Sequence, residues 1–170
     1  MTGSLATETG LQIFSRAELD RFWAARQPHA TVSGVVCLTD PGRRPAGNID
    51  AQRPDVFHLA FRDAYGPEIG DEGLPRRSHI VALLKFLCSH RPLHGPLLIH
   101  CEQGLSRSPT AAWLAFCLWW GPGSEEEALQ RVRELRPGCN INAWLVTLAQ
   151  AEMGRFRLFA ALRSGSGVQR

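Results

Sequence analysis

The sequence predicts an α/β fold of three layers, with helices on both faces of a mostly parallel four-stranded sheet. Three observations support this prediction. The chain has 170 residues and 44% of them are hydrophobic, which is enough for one core. Four short apolar runs have the length and composition of strands, and helical patterns lie between and after them. Strands that alternate with helices favour parallel pairing, because a crossover helix packs back onto one face of the sheet.

The predicted strands cover residues 11–14, 31–38, 56–61 and 96–100. No repeat or low-complexity linker interrupts them, so we expect one domain over residues 1–163. The last residues, SGSGVQR at 164–170, have the composition of a flexible tail.

Two predicted helices begin with a Ser-x-x-Glu capping box, in which each side chain binds a backbone N–H of the first turn. Ser15 and Glu18 precede a helix that reaches about residue 26, and Ser124 and Glu127 accompany a helix over 125–135. Periodicity predicts further helices over 79–89, 109–120 and 143–162, the last interrupted at Gly154. Four aromatic residues of the helix 109–120 have spacings that predict core packing: Trp113, Phe116, Trp119 and Trp120.

The cysteines indicate a reducing compartment. There are five, an odd number without paired spacing, and the N-terminal residues lack the apolar region of a secretory signal. We therefore expect a cytoplasmic protein. The longest apolar run, residues 111–120, is about half of the roughly 20 residues that cross a bilayer, so we expect no membrane span.

The net charge excludes few classes of function, but the basic residues that contribute to it are almost all arginine. A formal net charge of +3 is too small to indicate a nucleic-acid partner. Lys85 is the only lysine among 19 basic residues, and the planar guanidinium of arginine suits phosphate or carboxylate. Two arginine pairs occur in predicted loops, Arg43 with Arg44 and Arg76 with Arg77. They either rim a cleft for acidic or multiply phosphorylated substrates or only keep the surface soluble.

The segment LLIHCEQGLSRSPTAAWLAF, residues 97–116, carries the main functional signal. Every residue from 102 to 107 has a backbone N–H, and Gly104 can adopt the positive φ that turns successive amides toward one centre. A helix begins where the loop ends, with Pro109 in its first turn, where no N–H is needed. Converging amides at a helix N-terminus form an anion site that Arg107 can close with two hydrogen bonds. The expected anion is phosphate.

A second Cys-x5-Arg segment, CLTDPGR at residues 37–43, serves as a comparison. It contains Pro41, which has no amide N–H, and Asp40, which would repel an anion. No helical pattern follows it. We therefore interpret Cys37 as the end of a buried strand.

The anion site also predicts how Cys101 would react. Amides that converge on a sulfur favour its anionic form, so we expect a thiolate at neutral pH. A thiolate beneath a bound phosphate is placed for in-line attack on phosphorus, which gives a cysteinyl-phosphate intermediate. Ser108 can donate a hydrogen bond to the sulfur and ease its departure in the second step. His100 ends a buried strand, so we expect it to order the loop from beneath.

The segment HCEQGLSRS resembles the His-Cys-x5-Arg-Ser/Thr signature of the cysteine-dependent protein tyrosine phosphatases, in their compact dual-specificity-like branch. Its surroundings, FHLAFRDAYG, a helix, GPLLIHCEQGLSRSPTAA and RPGCNINAWLVTLAQ, are similar to small bacterial tyrosine-phosphatase-like proteins over about residues 31–160. The resemblance implies a phosphotyrosine-phosphatase-like fold and hydrolysis of phosphate monoesters without a metal or other cofactor. It also implies Cys101 as nucleophile, Arg107 as phosphate clamp and an aspartic acid on an upstream loop. The residues around the phosphate would be Glu102, Gln103, Gly104, Leu105, Ser106 and Arg107.

The general acid is one of six aspartates. Three of these lie in a predicted helix or before the third strand, which leaves Asp40, Asp63 and Asp71. Asp63 directly follows the third strand, at the sheet edge where the cysteine loop must lie, and it matches the strand-end acid of the family. Asp71 lies further along the same long loop at an acceptable separation from Cys101. We favour Asp63 and keep Asp71 as the alternative.

Two further positions, Asn142 and Tyr65, have two interpretations each. Asn142 either braces the loop, as its counterpart in the family does, or is a plain helix N-cap. Tyr65, the only tyrosine, either flanks a substrate ring or lies on the surface. His90 and His94 are separated by Pro92, and no cysteine joins them at metal-ligand spacing, so we expect no metal.

The first functional hypothesis is a tyrosine or dual-specificity phosphatase that acts on phosphorylated proteins, because the loop contains Glu102 and no lysine. A phosphoinositide phosphatase would gain from positive charge inside the loop, and an RNA 5'-phosphatase is disfavoured similarly. A phosphate-binding pseudophosphatase would arise if the acid were lost. A rhodanese-like sulfurtransferase has no need of Arg107 at this spacing. The oligomeric state stays open.

Overall fold

The structure, a computed structural model, describes residues 10–25, 32–66, 72–93 and 95–164. It contains the four strands β1 (Leu11–Ser15), β2 (Gly34–Thr39), β3 (Val56–Ala60) and β4 (Leu97–Cys101). Each predicted strand is therefore present, with ends that differ by a few residues. Position 31, the first residue predicted for the second strand, lies outside the described residues.

The four strands pair in parallel in the order β1-β4-β2-β3. The predicted α/β class is confirmed, and the sheet is parallel throughout the described strands. Cys101 lies beside Ser15 of β1, and Cys37 lies between His58 of β3 and His100 of β4. Because parallel strands run the same way, the loops after them open at one edge, where ligands bind in such sheets.

The described residues contain five α-helices: α1 (Arg16–Ala25), α2 (Arg77–Ser89), α3 (Arg107–Trp120), α4 (Glu125–Leu135) and α5 (Ala143–Ser164). A 3₁₀ turn at Ala46–Asn48 lies between β2 and β3. None of the described helices is long and apolar enough to cross a membrane. Helix α5 extends through Ser164, and the remainder of the predicted tail lies outside the described residues.

Helices α2 to α5 cover one face of the sheet, and α1 with the 3₁₀ turn covers the other. Successive strand residues alternate between the two faces, as a pleated strand requires. Val36, Leu38 and Ile99 pack under the four helices, whereas Val35 and Leu98 pack under α1. Each fully buried aliphatic side chain stabilises the fold by about 1.5–3 kcal/mol. The sheet is thus covered on both faces by described helices, and the loops at one of its edges are left open to a ligand.

Local sequence signals were correct at one helix start and wrong at three other positions. The Ser15 amide donates to Glu18 Oε2 at 2.7 Å and the Glu18 amide donates to Ser15 Oγ at 3.3 Å, so the first capping box is confirmed. Helix α4 begins where predicted, but Ser124 Oγ donates to the Gly121 carbonyl and makes no capping bond. Helix α5 is continuous through Gly154. Trp120 stacks on the buried Phe116, yet it is 42% exposed and not a core residue.

Candidate active site

Cys101 is the last residue of β4 and is buried at the bottom of a cleft. The backbone N–H of Gly104 donates to its sulfur at 3.2 Å. The hydroxyl oxygen of Ser108 lies 3.2 Å from the same sulfur, on the first turn of α3. Both groups that the sequence placed near the sulfur are therefore within hydrogen-bonding distance of it.

The loop from residue 101 to 107, here called the Cys101 loop, has its carbonyl groups turned outward. Each carbonyl from 101 to 106 accepts a hydrogen bond from a group outside this stretch, so the peptide N–H groups face the other way. The contacts are His100 Nδ1 with Cys101 (3.4 Å), the Arg16 amide with Glu102 (3.1 Å), Arg136 Nη2 with Gln103 (3.2 Å), Arg136 Nε with Gly104 (3.1 Å), the Asn140 amide with Leu105 (2.8 Å) and the Thr110 amide with Ser106 (3.0 Å). Outward carbonyls leave inward amides, which is the arrangement an anion needs.

Gly104 is the one position of the loop that requires glycine. Its φ is +72°, which side chains with a Cβ rarely adopt. A Cβ there would lie 2.8 Å from Arg136 Nη2, 2.8 Å from the Ser15 amide nitrogen and 2.9 Å from the Phe14 carbonyl carbon. The positive φ predicted from the sequence is confirmed, and the close approach of β1 is a second reason for glycine.

Arg107 begins α3, and its side chain is buried with one guanidinium nitrogen fully engaged. Its Nη1 donates to Asp40 Oδ1 at 2.8 Å and to the Phe61 carbonyl at 2.7 Å. Its Nε is buried and has no hydrogen-bond partner among the described residues. An orphaned buried donor is costly, so Arg107 has hydrogen-bonding capacity that its contacts with Asp40 and Phe61 do not use.

The cleft has a volume of about 500 Å³ and collects residues from three loops. These are the loops after β2, β3 and β4, which the predicted parallel sheet brings to one edge. The lining residues are Asp40 and Pro41, then Arg62 and Asp63, then Cys101, Glu102, Gln103, Ser106 and Arg107. Among the described residues, no group of three metal-ligating side chains comes together.

Asp63 lines this cleft as expected, and it also ties the Cys101 loop to α5. Its Oδ1 accepts hydrogen bonds from Ser106 Oγ at 2.7 Å and from Asn142 Nδ2 at 2.9 Å. Asn142 in turn accepts the Leu145 amide on its Oδ1 at 3.1 Å, as a helix N-cap does. Both interpretations of Asn142 therefore hold at once. The alternative acid, Asp71, lies outside the described residues.

Glu102 is a carboxylate inside the Cys101 loop, but its charge is paired. Arg16 Nε donates to both of its oxygens at 3.1 and 3.2 Å, and Arg43 Nε lies 3.9 Å away. The pairing directs the carboxylate toward two guanidinium groups. An acidic residue beside an anion site is tolerable for this reason.

His100 orders the loop from beneath, in agreement with the sequence prediction. The Ala46 amide donates to its Nε2 at 3.5 Å, so the ring proton resides on Nδ1, beside the Cys101 carbonyl. Burial lowers the pKa of His100 to about 4. The ring is thus neutral near pH 7 and serves as a fixed hydrogen-bonding link.

The other singled-out residues divide between the cleft and the surface. Arg43 reaches the cleft side through Glu102, whereas Arg77 pairs with the buried Glu152 of α5, with Nε to Oε1 at 2.5 Å. Tyr65 is 67% exposed and is not among the cleft-lining residues. His90 stacks on Phe86 at 3.8 Å between ring centroids, and residue 94 lies outside the described residues. All five cysteines lie within the described residues and are free thiols.

Sequence reasoning missed two contacts of the site. It weighed Asp40 as an anion-repelling charge and as one of three remaining candidates for the acid, but not as a partner of Arg107, with which the structure pairs it. It did not consider Arg136, whose contacts with the Gln103 and Gly104 carbonyls have no signature in sequence spacing. The position of Asp40 after a strand was the usable signal.

No protein-family model and no curated protein sequence matches the chain. Solved structures are similar to it. Human DUSP28 matches with a TM-score of 0.53 and 18% identity, over 93% of this chain and 96% of that chain. DUSP15 matches with a TM-score of 0.56 and 18% identity, over 94% of this chain and 95% of that chain. PTPMT1 matches with a TM-score of 0.50 and 15% identity, over 94% of each chain. The chain therefore has the fold of the dual-specificity phosphatases, which the signature around Cys101 implied.

Proposed function

We propose that this chain is a cysteine-dependent phosphatase that hydrolyses phosphate monoesters on phosphorylated proteins, phosphotyrosine first and phosphoserine or phosphothreonine second. One observation carries the proposal. The outward carbonyls of residues 101–106 leave a set of N–H groups around Cys101, with the unpartnered Nε of Arg107 beside them. Such a site holds a dianion directly over a sulfur nucleophile.

In the proposed reaction, the Cys101 thiolate attacks phosphorus and the bond from phosphorus to the leaving oxygen breaks. The electron pair of that bond goes to the oxygen, which takes a proton from Asp63. Arg107 and the loop amides stabilise the charge on the equatorial oxygens of the phosphoryl group. Water then attacks the cysteinyl phosphate with Asp63 as base, and Ser108 donates a hydrogen bond to the departing sulfur.

The charges of the cleft favour a single phosphate group. Besides Arg107, the lining contains one further cation, Arg62, and three carboxylates, Asp40, Asp63 and Glu102. A substrate with neighbouring phosphates would meet these carboxylates and no lysine, since Lys85 lines a separate groove between α2 and α5. A phosphoprotein side chain suits this balance better than a phosphoinositide does.

The test is turnover of p-nitrophenyl phosphate with EDTA present, for the wild type, Cys101→Ser and Cys37→Ser. We expect turnover in the wild type and in Cys37→Ser, and background rates in Cys101→Ser. Loss of activity on chelation would contradict a metal-free reaction. Phosphate binding without any turnover would instead identify a pseudophosphatase.

A further inference from the structure

Arg136 follows α4 directly and holds the outer side of the Cys101 loop. Its guanidinium makes three contacts. Nη2 donates to the Gln103 carbonyl at 3.2 Å, Nε donates to the Gly104 carbonyl at 3.1 Å, and Nη1 donates to Glu18 Oε1 at 2.9 Å. A planar guanidinium can bind two adjacent carbonyls in this way, whereas a lysine ammonium has no fixed fork.

Each of these carbonyls belongs to a peptide group whose N–H lies on the opposite side. The Gln103 carbonyl shares its peptide group with the Gly104 N–H, and that N–H donates to Cys101 Sγ at 3.2 Å. Arg136 and the sulfur therefore bind opposite ends of one peptide group. The Gly104 carbonyl likewise shares a peptide group with the Leu105 N–H. A cation on the carbonyl end polarises the amide and strengthens it as a donor.

We propose that Arg136 is a positioning residue for the nucleophile: it fixes two peptide groups of the Cys101 loop and thereby raises the fraction of Cys101 present as thiolate. The inference deepens the proposed function, since it concerns the same cysteine, but it can be tested without turnover. Arg136 is absent from the residues that line the cleft, so it acts from behind the loop and not by touching a substrate.

The guanidinium is itself held in place. Glu18 accepts the Ser15 amide on Oε2 while it accepts Arg136 on Oε1, so the start of α1 anchors the arginine. The hydrogen bond from Arg136 is the main cause that lowers the pKa of Glu18 to about 2. The absence of a side chain at Gly104 lets the guanidinium approach the loop backbone closely, since an added Cβ would lie 2.8 Å from Arg136 Nη2.

Other charged groups face Cys101 from the cleft and would act on it independently. They are Arg107, Arg62, Asp40, Asp63 and Glu102, with His100 preceding it on β4. Among the described residues, the side-chain hydrogen bonds of Arg136 go to the loop carbonyls and Glu18 and to none of these side chains. A shift in thiol reactivity on replacement of Arg136 alone would therefore come from the loss of the guanidinium at the loop and at Glu18.

The experiment measures alkylation of Cys101 by iodoacetamide at pH 6 and at pH 9, with mass spectrometry of the peptide that carries it. The rate at pH 6 divided by the rate at pH 9 reports the fraction of Cys101 that is thiolate at pH 6. A loosened structure would raise both rates together and leave this ratio unchanged. We expect this ratio to fall about tenfold in Arg136→Met. The matched control is Arg133→Met, which removes the same charge from the last turn of α4, where Arg133 is exposed.

An unchanged ratio in Arg136→Met, or an equal fall in Arg133→Met, would overturn the inference. If Arg136→Met does not fold, Arg136→Lys carries the test, because it keeps the charge and loses the fork. We expect a fall of about threefold there, and a wild-type ratio would again overturn the inference. A wild type that hydrolyses no phosphate monoester would remove the proposed function and leave this comparison of ratios valid.

Discussion

Two segments of the chain have the same Cys-x5-Arg spacing and fold in different ways. Cys37 lies inside β2 between two neighbouring strands, and the chain after it closes into a tight turn. In that turn the Arg43 amide donates to the Asp40 carbonyl at 3.0 Å, and Thr39 Oγ1 donates to the Arg43 carbonyl at 3.2 Å. Cys101 ends its strand instead, and its loop turns the carbonyls outward.

The two cysteines differ in the direction of the peptide groups around them and not in the spacing to arginine, and the proposed function assigns the reactive thiol to the loop whose carbonyls point outward. Around Cys37 the amides are used in the sheet or in the turn, and no anion site results. Burial raises the pKa of Cys37 to about 12, so it stays a neutral thiol. Around Cys101 an amide hydrogen bonds to the sulfur and a 14-residue helix begins at the end of the loop.

The two loops also meet. Asp40 of the Cys37 loop pairs with Arg107 of the Cys101 loop at 2.8 Å, and it lines the same cleft. The segment that forms no anion site of its own therefore holds the arginine of the other.

The two arginines should give the largest contrast. Arg107→Lys removes the planar guanidinium that can donate two hydrogen bonds to the phosphate. We therefore expect kcat/KM for p-nitrophenyl phosphate to fall about a thousandfold. Arg43→Lys should stay within about twofold, since Arg43 is exposed and forms a long contact with Glu102. Steady-state kinetics of the two variants provides the measurement. Equal losses would contradict the assignment of the phosphate site to the Cys101 loop alone.

The acid should give the next largest effect. Asp63→Asn is expected to lower kcat by about 100-fold on substrates with poor leaving groups, because the leaving oxygen then receives no proton. The alkaline fall of the rate profile should weaken in the same variant. Rates on a series of aryl phosphates check both points. Normal turnover in Asp63→Asn, with a loss in Asp71→Asn, would transfer the role to Asp71.

A smaller effect tests the link between the loops. Asp40→Asn removes the charged partner of Arg107 and should lower phosphate affinity and kcat/KM about tenfold. Asp50→Asn is the matched control, because Asp50 lies in the same connection and outside the cleft lining. Competitive inhibition by inorganic phosphate measures the affinity. Tighter phosphate binding in Asp40→Asn would mean that Asp40 acts as the repelling charge the sequence suggested.

A fourth expected effect concerns stability and not activity. His100 joins the segment after β2 to the Cys101 loop through the Ala46 amide. Its pKa is lowered to about 4, so the unfolded chain binds its proton first as the pH falls below about 6.5. The wild type should therefore lose about 2 kcal/mol more stability between pH 7 and pH 5 than His100→Gln does. Urea unfolding at the two pH values gives the comparison, and equal losses would contradict the buried neutral ring.

The sequence predicted the frame of the molecule because each part of that frame has a local signal. Alternation of apolar runs and helices gave the parallel sheet, and the sheet placed the loops after β2, β3 and β4 together, where the cleft is found. The positive φ at Gly104 and a helix at the end of the loop followed from backbone chemistry, although the helix begins at Arg107, two residues before the predicted start. The capping box predicted at Ser124 was wrong because the Ser124 hydroxyl donates to the Gly121 carbonyl instead. The break predicted at Gly154 was wrong because the helix continues through this glycine, whose low helix propensity is only a weak local preference.

The rest depends on contacts between distant positions. Asp40 meets Arg107 across 67 positions, and Arg136 meets Gly104 across 32. A charge considered alone, such as Asp40, repels a phosphate, but the same charge beside a guanidinium orients the group that binds it. For Asn142 the sequence suggested two alternative contacts, with the loop side of the site and with the start of α5, and the structure contains both.

The most direct test of the central claim is to trap the covalent intermediate. Ser108→Ala, in which departure of the sulfur from phosphorus is slowed, is mixed with a ³²P-labelled phosphotyrosine peptide, quenched in acid and digested, and the labelled peptide is identified. We predict that the label lies on the peptide containing Cys101 and that the Cys37 peptide carries none. Turnover with no label on any cysteine, or with label on Cys37, would contradict the account.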